Sequence, residues 1–157
     1  MPRHFVRSTP TPPTPATWIL AADAGRARLF SAGTRNGRLT ELADLVNPEA
    51  RLSEHERVSD RRGRMGGGAG KSNAFEARES PERQSAIVFA RRLCKMLGQG
   101  RRVGACNRIY VLAEPAFLGL LRRHLDPPTR RLVKFERGSD LVRRAVPVIR
   151  GALPQQL

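Results

Sequence analysis

The pattern of apolar and polar positions predicts three strands at the start of the folded part of the chain. Residues 18–22 form a continuous apolar run, which is typical of a strand buried on both faces. Residues 26–31 alternate charged with small or apolar side chains, as a half-buried strand does. Residues 39–46 fit a third strand, although their spacing also permits a helix. Turns at 23–25 and at Asn36-Gly37 would join the three strands as an antiparallel meander.

A helical period replaces the strand pattern in the second half of the chain. Ser80 is a predicted N-cap with Pro81 in the first helical position, and the helix should run to about residue 97, where Gly98 and Gly100 would end it. A strand over 107–113, a short helix over 117–125 that Asp126-Pro-Pro128 would break, and a strand over 131–136 follow.

The last predicted element is a helix that begins after Ser139 and that Pro147 should kink or end. The predicted order is therefore three strands, then helix, strand, helix, strand and helix. This order predicts an α/β fold in which helices pack on a mixed sheet. Because crossover connections are right-handed, the last two strands should be parallel to each other.

The chain is of a length that favours one domain with a real core. Residues 1–16 are rich in proline and threonine and predict a disordered tail, so that the single domain spans 17–153. Residues 53–79 show no sustained period and predict a flexible loop within that domain. A connection of this length is normally functional or disordered.

Charge is the most informative feature of the composition. The formal net charge is +15, and the excess of cations begins at residue 51, because residues 17–50 are balanced. A neutral first part and a basic second part predict a polyanionic partner, most simply RNA or a ribosome. The alternative is that an arginine-rich genome raises the count, since only three of the cationic residues are lysines.

The cysteines and the apolar runs favour a cytoplasmic protein. Cys94 and Cys106 have no metal-site spacing and form no disulfide framework, and Cys94 is predicted to be a buried free thiol. No apolar run approaches the roughly 20 residues that a membrane span needs. The N-terminus lacks the apolar centre of a secretory signal. The oligomeric state stays open.

The stretch from Ser59 to Ser72 holds five glycines and four cationic side chains and almost nothing to bury. Glycine lets the backbone approach a partner closely, and arginine and lysine supply charge and donors, so the stretch predicts phosphate contact. It is not a P-loop, because Met65 stands where that motif needs glycine. The exposed face of the following helix adds three cations. The predicted nucleic-acid-binding residues are Arg61, Arg62, Arg64, Gly66, Gly67, Gly68, Lys71, Arg91, Arg92 and Lys95.

Catalytic chemistry has little support in the sequence. Asp23 and Asp44 would suit a metal nuclease, but we favour the alternative in which Asp23 ties its own turn through backbone hydrogen bonds. The three histidines have no partner that suggests a nucleophile or a ligand set. We therefore predict no enzyme, no metal and no cofactor. The aromatic residues sit in apolar runs and are expected in the core, so contact with nucleic acid would go through phosphate rather than stacking.

Several segments together resemble the bacterial host attachment protein family, the proteins required for attachment to host cells. The resemblance covers roughly residues 17–150 and implies adhesion to a host surface. The segments that carry it are Trp18-Ile-Leu-Ala-Ala-Asp-Ala-Gly-Arg-Ala-Arg-Leu-Phe30, Leu45-Val-Asn-Pro-Glu-Ala-Arg51, Val58-Ser-Asp60 with the glycine loop, Phe89-Ala-Arg91 and Pro115-Ala-Phe-Leu-Gly-Leu-Leu121.

That family is similar in turn to the middle domain of archaeal and eukaryotic peptide release factors and of Pelota. The similarity implies a ribonuclease-H-like fold and docking of the loop on ribosomal or transfer RNA. Release factors carry Gly-Gly-Gln in this loop, whereas no glutamine follows Gly67 or Gly68 here. The expected function is therefore a non-enzymatic RNA- or ribosome-associated domain. The alternatives are attachment at the envelope or to acidic polysaccharide, and a disfavoured peptidyl-tRNA hydrolase.

Overall fold

The computed structural model describes residues 14–33, 37–50, 52, 55, 59 and 80–157. Most of the predicted tail and loop, including all seven predicted binding residues of the loop, lies outside these residues. The described strands are β1 (Ala16–Ala22), β2 (Arg26–Ala32), β3 (Leu39–Val46), β4 (Cys106–Ala113) and β5 (Val133–Gly138). Residues 48–50, 52, 55 and 59 are helical, so the predicted loop is helical at 55 and 59. The later helices are α1 (Pro81–Arg102), α2 (Pro115–His124), α3 (Pro127–Arg130) and α4 (Val146–Gly151).

The strands form one mixed sheet in the order β3-β2-β1-β4-β5. The pairs β3–β2 and β2–β1 are antiparallel, and the pairs β1–β4 and β4–β5 are parallel. The predicted meander and the predicted parallel pairing of the last two strands are therefore confirmed, and residues 39–46 form a strand rather than a helix. The fold is a ribonuclease-H-like α/β fold with helices packed on a mixed sheet.

The central strand β1 is buried on both faces, as its apolar run predicts. Leu20 faces a core that α1 and α2 complete, and Ile19 faces a second core that includes Ile149 of α4. Both side chains are fully buried. The helices α1 and α2 therefore form one layer on one side of the sheet, while α4 and the chain after it cover the other side.

The turn between β1 and β2 is held by an aspartate, as the favoured interpretation of Asp23 expects. Asp23 Oδ1 accepts hydrogen bonds from the backbone N–H groups of Gly25 and Arg26, both at 2.7 Å. The buried Asn47 side chain then ties this turn to α1, because its Nδ2 donates to the Ala24 carbonyl and to Ser85 Oγ, both at 2.9 Å. Asp23 is thus used structurally at the end of β1.

Helix α1 begins as predicted but ends later. Ser80 Oγ accepts the Arg83 backbone N–H at 3.2 Å, and Pro81 opens the helix. The prediction that Gly98 and Gly100 end the helix is wrong, because α1 continues through both glycines. Gly100 allows close packing instead, because a Cβ atom at this position would overlap the Trp18 ring.

The end of the chain also departs from the prediction. Asp126 does not simply end a helix, because its Oδ1 accepts the Thr129 N–H at 2.7 Å and so caps the short helix α3. After β5, the Ser139 N–H donates to the Ala113 carbonyl instead of opening a helix. The final helix begins with Pro147 in its first turn rather than ending there. Proline suits that position, because its fixed φ fits a helix and its missing N–H would have no partner there.

Acidification tests the Asp126 cap. Hydrogen bonds from the Thr129 hydroxyl and backbone hold the pKa of Asp126 below its ordinary value. A lowered folded-state pKa stabilises the protein above the unfolded-state pKa of about 3.9, and that stabilisation is lost as the pH falls through the folded-state value. We expect D126N to be less stable than the natural protein at pH 6, and the gap to shrink at about pH 3. Urea unfolding at both pH values measures the gap, and a gap that is constant with pH would contradict the cap.

Candidate functional site

Of the predicted binding residues, the structure describes Arg91, Arg92 and Lys95. All three lie on the outer face of α1 and are exposed. We call these three residues the α1 stripe. The prediction that they face solvent is confirmed, whereas their contact with nucleic acid stays a prediction.

The helical period explains why the three cations lie together. Ala86, Ala90, Leu93 and Leu97 recur at helical spacing and are buried against the sheet. The α1 stripe follows the opposite side of the helix. Side chains four residues apart on a helix are neighbours, with Cβ atoms about 5–6 Å apart, so Arg91 and Lys95 lie beside each other.

The α1 stripe has no counter-charge of its own. Within the part of the chain that the structure describes, none of the three side chains makes an ion pair or a hydrogen bond. In the sequence no acid stands between Glu82 and Glu114. Neighbouring like charges repel, which costs a few tenths of a kcal/mol per pair on a helix. An anion that neutralises them would remove this repulsion.

The cations of the antiparallel strands are neutralised instead. Arg26 binds Asp44 with its Nε and Nη2 at 2.8 and 2.5 Å, and Arg28 binds Glu41 at 2.9 and 2.8 Å. These paired hydrogen bonds raise the pKa of both arginines and lower the pKa of both carboxyl groups. The sheet face formed by β2 and β3 therefore offers no free cationic cluster at these positions.

The helices beside α1 extend its cationic surface. Arg123 of α2, Arg130 of α3 and the adjoining Arg131 are exposed, and no ion pair within the described residues involves them. Arg122 differs, because its Nε lies 2.6 Å from Glu136 Oε2 on β5. Residues 80–157 carry sixteen lysines and arginines but only five acids, so the positive charge is concentrated in this half of the chain.

Part of this cationic surface has only a weak signal in the sequence. Arg131 is predicted to begin a strand and Arg130 lies in no predicted element, and the signal that indicates α3 is Asp126 before two prolines, which suits a helix cap. The pairing of Arg122 with Glu136 has no sequence signal, since the two residues lie on a helix and on the following strand. Only the three-dimensional arrangement separates the neutralised arginine from its free neighbours.

The acids near the carboxyl ends of the parallel strands are used for local structure. Glu114 follows β4, and its two carboxylate oxygens accept the N–H groups of Ala116 and Phe117 at 3.0 Å, which caps α2. Together with the Asp23 turn, this accounts for the acids that end β1 and β4. Among the residues that the structure describes, no three metal-binding side chains group together.

The described thiols are buried. Burial raises the pKa of the Cys94 thiol to about 12, so the predicted buried free thiol is confirmed. A groove of about 400 Å³ lies between α1 and α2, and its lining includes the apolar Phe117 and Leu120 and the charged Glu82, Glu114 and Arg123. No described helix is long and apolar enough to cross a membrane.

Comparison with known proteins identifies one family and a distant structural likeness. The family model described as "Protein required for attachment to host cells" matches residues 18–153. No curated protein matches the chain.

Among solved structures, the chain is similar to an archaeal translation termination factor, aRF1, with 12% identity over 89% of this chain and 35% of that one, at a TM-score of 0.43. It is also similar to a Ppx/GppA phosphatase from Aquifex aeolicus, with 12% identity over 78% of this chain and 35% of that one, at a TM-score of 0.37. The chain thus spans about a third of the length of each.

Proposed function

We propose that this chain, which belongs to the family of proteins required for attachment to host cells, is a non-catalytic, cytoplasmic domain that binds RNA or a ribosome through its helical layer. The observation that carries the proposal is the α1 stripe. Its three exposed cations lie on one rigid helix and have no partner within the described residues.

Phosphate is the chemistry that this surface suits. A protein that neutralises phosphates with lysine and arginine releases the counterions condensed on the nucleic acid, and this release drives binding. The cations of the α1 stripe stay hydrated until a partner arrives, because no carboxylate of the described chain competes for them. A surface neutralised by its own acids, such as that of β2 and β3, would release fewer counterions.

The glycine-rich loop is the second part of the proposal, and it depends on the sequence alone. Arg61, Arg62, Arg64 and Lys71 precede Ser80, where α1 begins, in the sequence. The glycines between them leave the backbone free to approach a phosphate. We propose that the loop and the α1 stripe contact the same polyanion.

The family description favours a second candidate function, namely attachment to a host surface that bears acidic polysaccharide. The same cationic surface would then meet sulfate and carboxylate groups rather than phosphate. A peptidyl-tRNA hydrolase is disfavoured, because the glycines of the loop are not followed by the glutamine of release factors.

Cosedimentation with ribosomes tests the first candidate against the second. The purified full chain is centrifuged with ribosomes at low and at high salt, with and without ribonuclease, and with heparin as a competing acidic polysaccharide. We expect the protein to pellet at low salt and to return to the supernatant at high salt or after ribonuclease treatment. If the protein stays in the supernatant with ribosomes at low salt but binds immobilised heparin, the polysaccharide candidate replaces RNA.

A further inference from the structure

We propose that the surface formed by α1, α2 and α3 binds the backbone of a nucleic-acid duplex in preference to a single strand. This inference rests on the proposed function, because it specifies which form of nucleic acid the cationic surface accepts. Three features of the described residues carry it: the breadth of the cationic surface, its rigidity and the position of the aromatic side chains.

The cationic surface is wider than one helix. Arg91 and Lys95 follow α1, while Arg123 lies on α2 and Arg130 lies on α3, where it lines a groove together with Lys134 of β5. The helices of the layer are joined, because Arg101 Nε of α1 donates to Thr129 Oγ1 of α3 at 3.1 Å. A duplex presents two backbones side by side, and a surface with cations in more than one row can contact both. A single strand offers one backbone and needs only one row.

The surface is also rigid. The α1 stripe lies near the middle of a helix of 22 residues whose inner face is buried, so the spacing of its cations is fixed before binding. A duplex holds its phosphates in fixed positions as well. Two preorganised partners lose little conformational freedom when they meet, whereas a flexible strand must be ordered against the surface.

Four of the described aromatic side chains are buried, and the other two, Trp18 and Phe135, are half-buried. Phe89 of α1 is buried and its ring lies 5.9 Å from that of Phe117, and Tyr110 packs in the same way against Phe135. Trp18 lies against Gly100. Proteins that hold single strands stack successive bases on exposed aromatic rings, and this stacking supplies much of their affinity. The described outer face of the helical layer has no such ring.

The size of the preference follows from counterion release. Each phosphate contact contributes about 0.9 to the salt slope on a duplex but about 0.7 on a single strand. For the three cations of the α1 stripe, this difference amounts to about fourfold in affinity at 0.1 M salt. Contacts from α2 and α3 with the second backbone would increase it.

Fluorescence anisotropy with the full chain tests the inference. The probes are a labelled RNA duplex of about 20 base pairs, enough to span the helical layer, each of its strands alone, and a duplex of scrambled sequence. We expect the duplex to bind about fourfold more tightly than either strand, or better, and the scrambled duplex to bind equally well. A single strand that binds as tightly as the duplex overturns the duplex preference but leaves the proposed function intact. If neither form binds, both are overturned.

Discussion

Replacing Gly100 by alanine is expected to lower the free energy of unfolding by about 2 kcal/mol, because overpacking a core typically costs about 1–3 kcal/mol. A Cβ atom at this position would lie 3.0 Å from Trp18 Cζ2 and closer still to Cη2 and Cζ3. The indole is planar and rigid, and its neighbours on β1 are buried. The ring must therefore shift as a whole. Chemical denaturation of G100A measures the loss.

Helix propensity alone predicts the opposite result. In the interior of a helix, alanine is favoured over glycine by about 1 kcal/mol. Gly119 on α2 is the matched control. Apart from its chain neighbours and the nearby backbone of its own helix, no atom lies within 4 Å of a Cβ atom placed there. We expect G119A to be neutral or stabilising by up to about 1 kcal/mol. If G100A is as stable as G119A, the close contact with Trp18 is not limiting.

A double-mutant cycle separates the contact from the backbone effect. Replacing Trp18 by leucine removes the ring that Gly100 accommodates, so G100A should cost much less in the W18L background than in the natural protein. Both single variants remove packing, but only the coupling between them reports the contact. Equal costs of G100A in the two backgrounds would contradict the packing account of this glycine.

Replacing Arg91, Arg92 and Lys95 together by alanine is expected to weaken binding of an RNA duplex by about five-hundredfold at 0.1 M salt, because each lost phosphate contact removes about a factor of eight. The stability of the fold should change little. The three side chains are exposed and make no hydrogen bond or ion pair within the described residues, and alanine is the best helix former. Anisotropy titration and thermal unfolding of the triple variant measure the two effects.

The matched control removes the same charge from another part of the molecule. Arg137 lies on β5, and Arg143 and Arg144 lie in the segment that leads to α4. Replacing Arg143 also removes an ion pair, because its Nε lies 3.8 Å from Asp23 Oδ2. Arg137 donates to the Ala152 carbonyl, on the side of the sheet opposite α1. Alanine at these three positions should weaken RNA binding only slightly. If both triple variants lose the same affinity, net charge rather than the α1 stripe governs binding.

Much of the fold follows from the sequence because local signals agree with one another. The apolar run of β1, the alternation of β2 and the Ser80-Pro81 start of α1 each have a local cause, and each is confirmed. The order of strands and helices then allows few arrangements of the sheet. Short turns make the first three strands antiparallel, and right-handed crossover connections make the last two strands parallel, so the sheet is mixed.

The wrong predictions concern the ends of helices, where a local signal permits more than one position. Gly100 has the local signal of a helix end, but the helix continues because a glycine there leaves room for Trp18, a residue far away in the chain. Pro147 has the local signal of a break, yet proline fits the first turn of a helix equally well. In both cases the residue belongs to a helix, but its predicted position, at the end of that helix, is wrong.

The candidate site is predictable in part, because the helical spacing of residues is a local signal. Helical spacing is enough to place Arg91, Arg92 and Lys95 on an exposed face. Sequence does not reveal which arginines are neutralised, because Arg122 and Arg123 are adjacent and only Arg122 meets an acid, from β5. Counting charges along the chain therefore overestimates the free cationic surface, because Arg26, Arg28 and Arg122 are neutralised by acids.

The most direct test of the central claim is the salt dependence of RNA binding by the natural protein and by the triple variant of the α1 stripe. The account predicts that the slope of log affinity against log salt becomes shallower by about 2–3 in the variant, close to one unit for each phosphate contact removed. An unchanged slope would contradict the account, because it would mean that these three cations release no counterions and do not touch the nucleic acid.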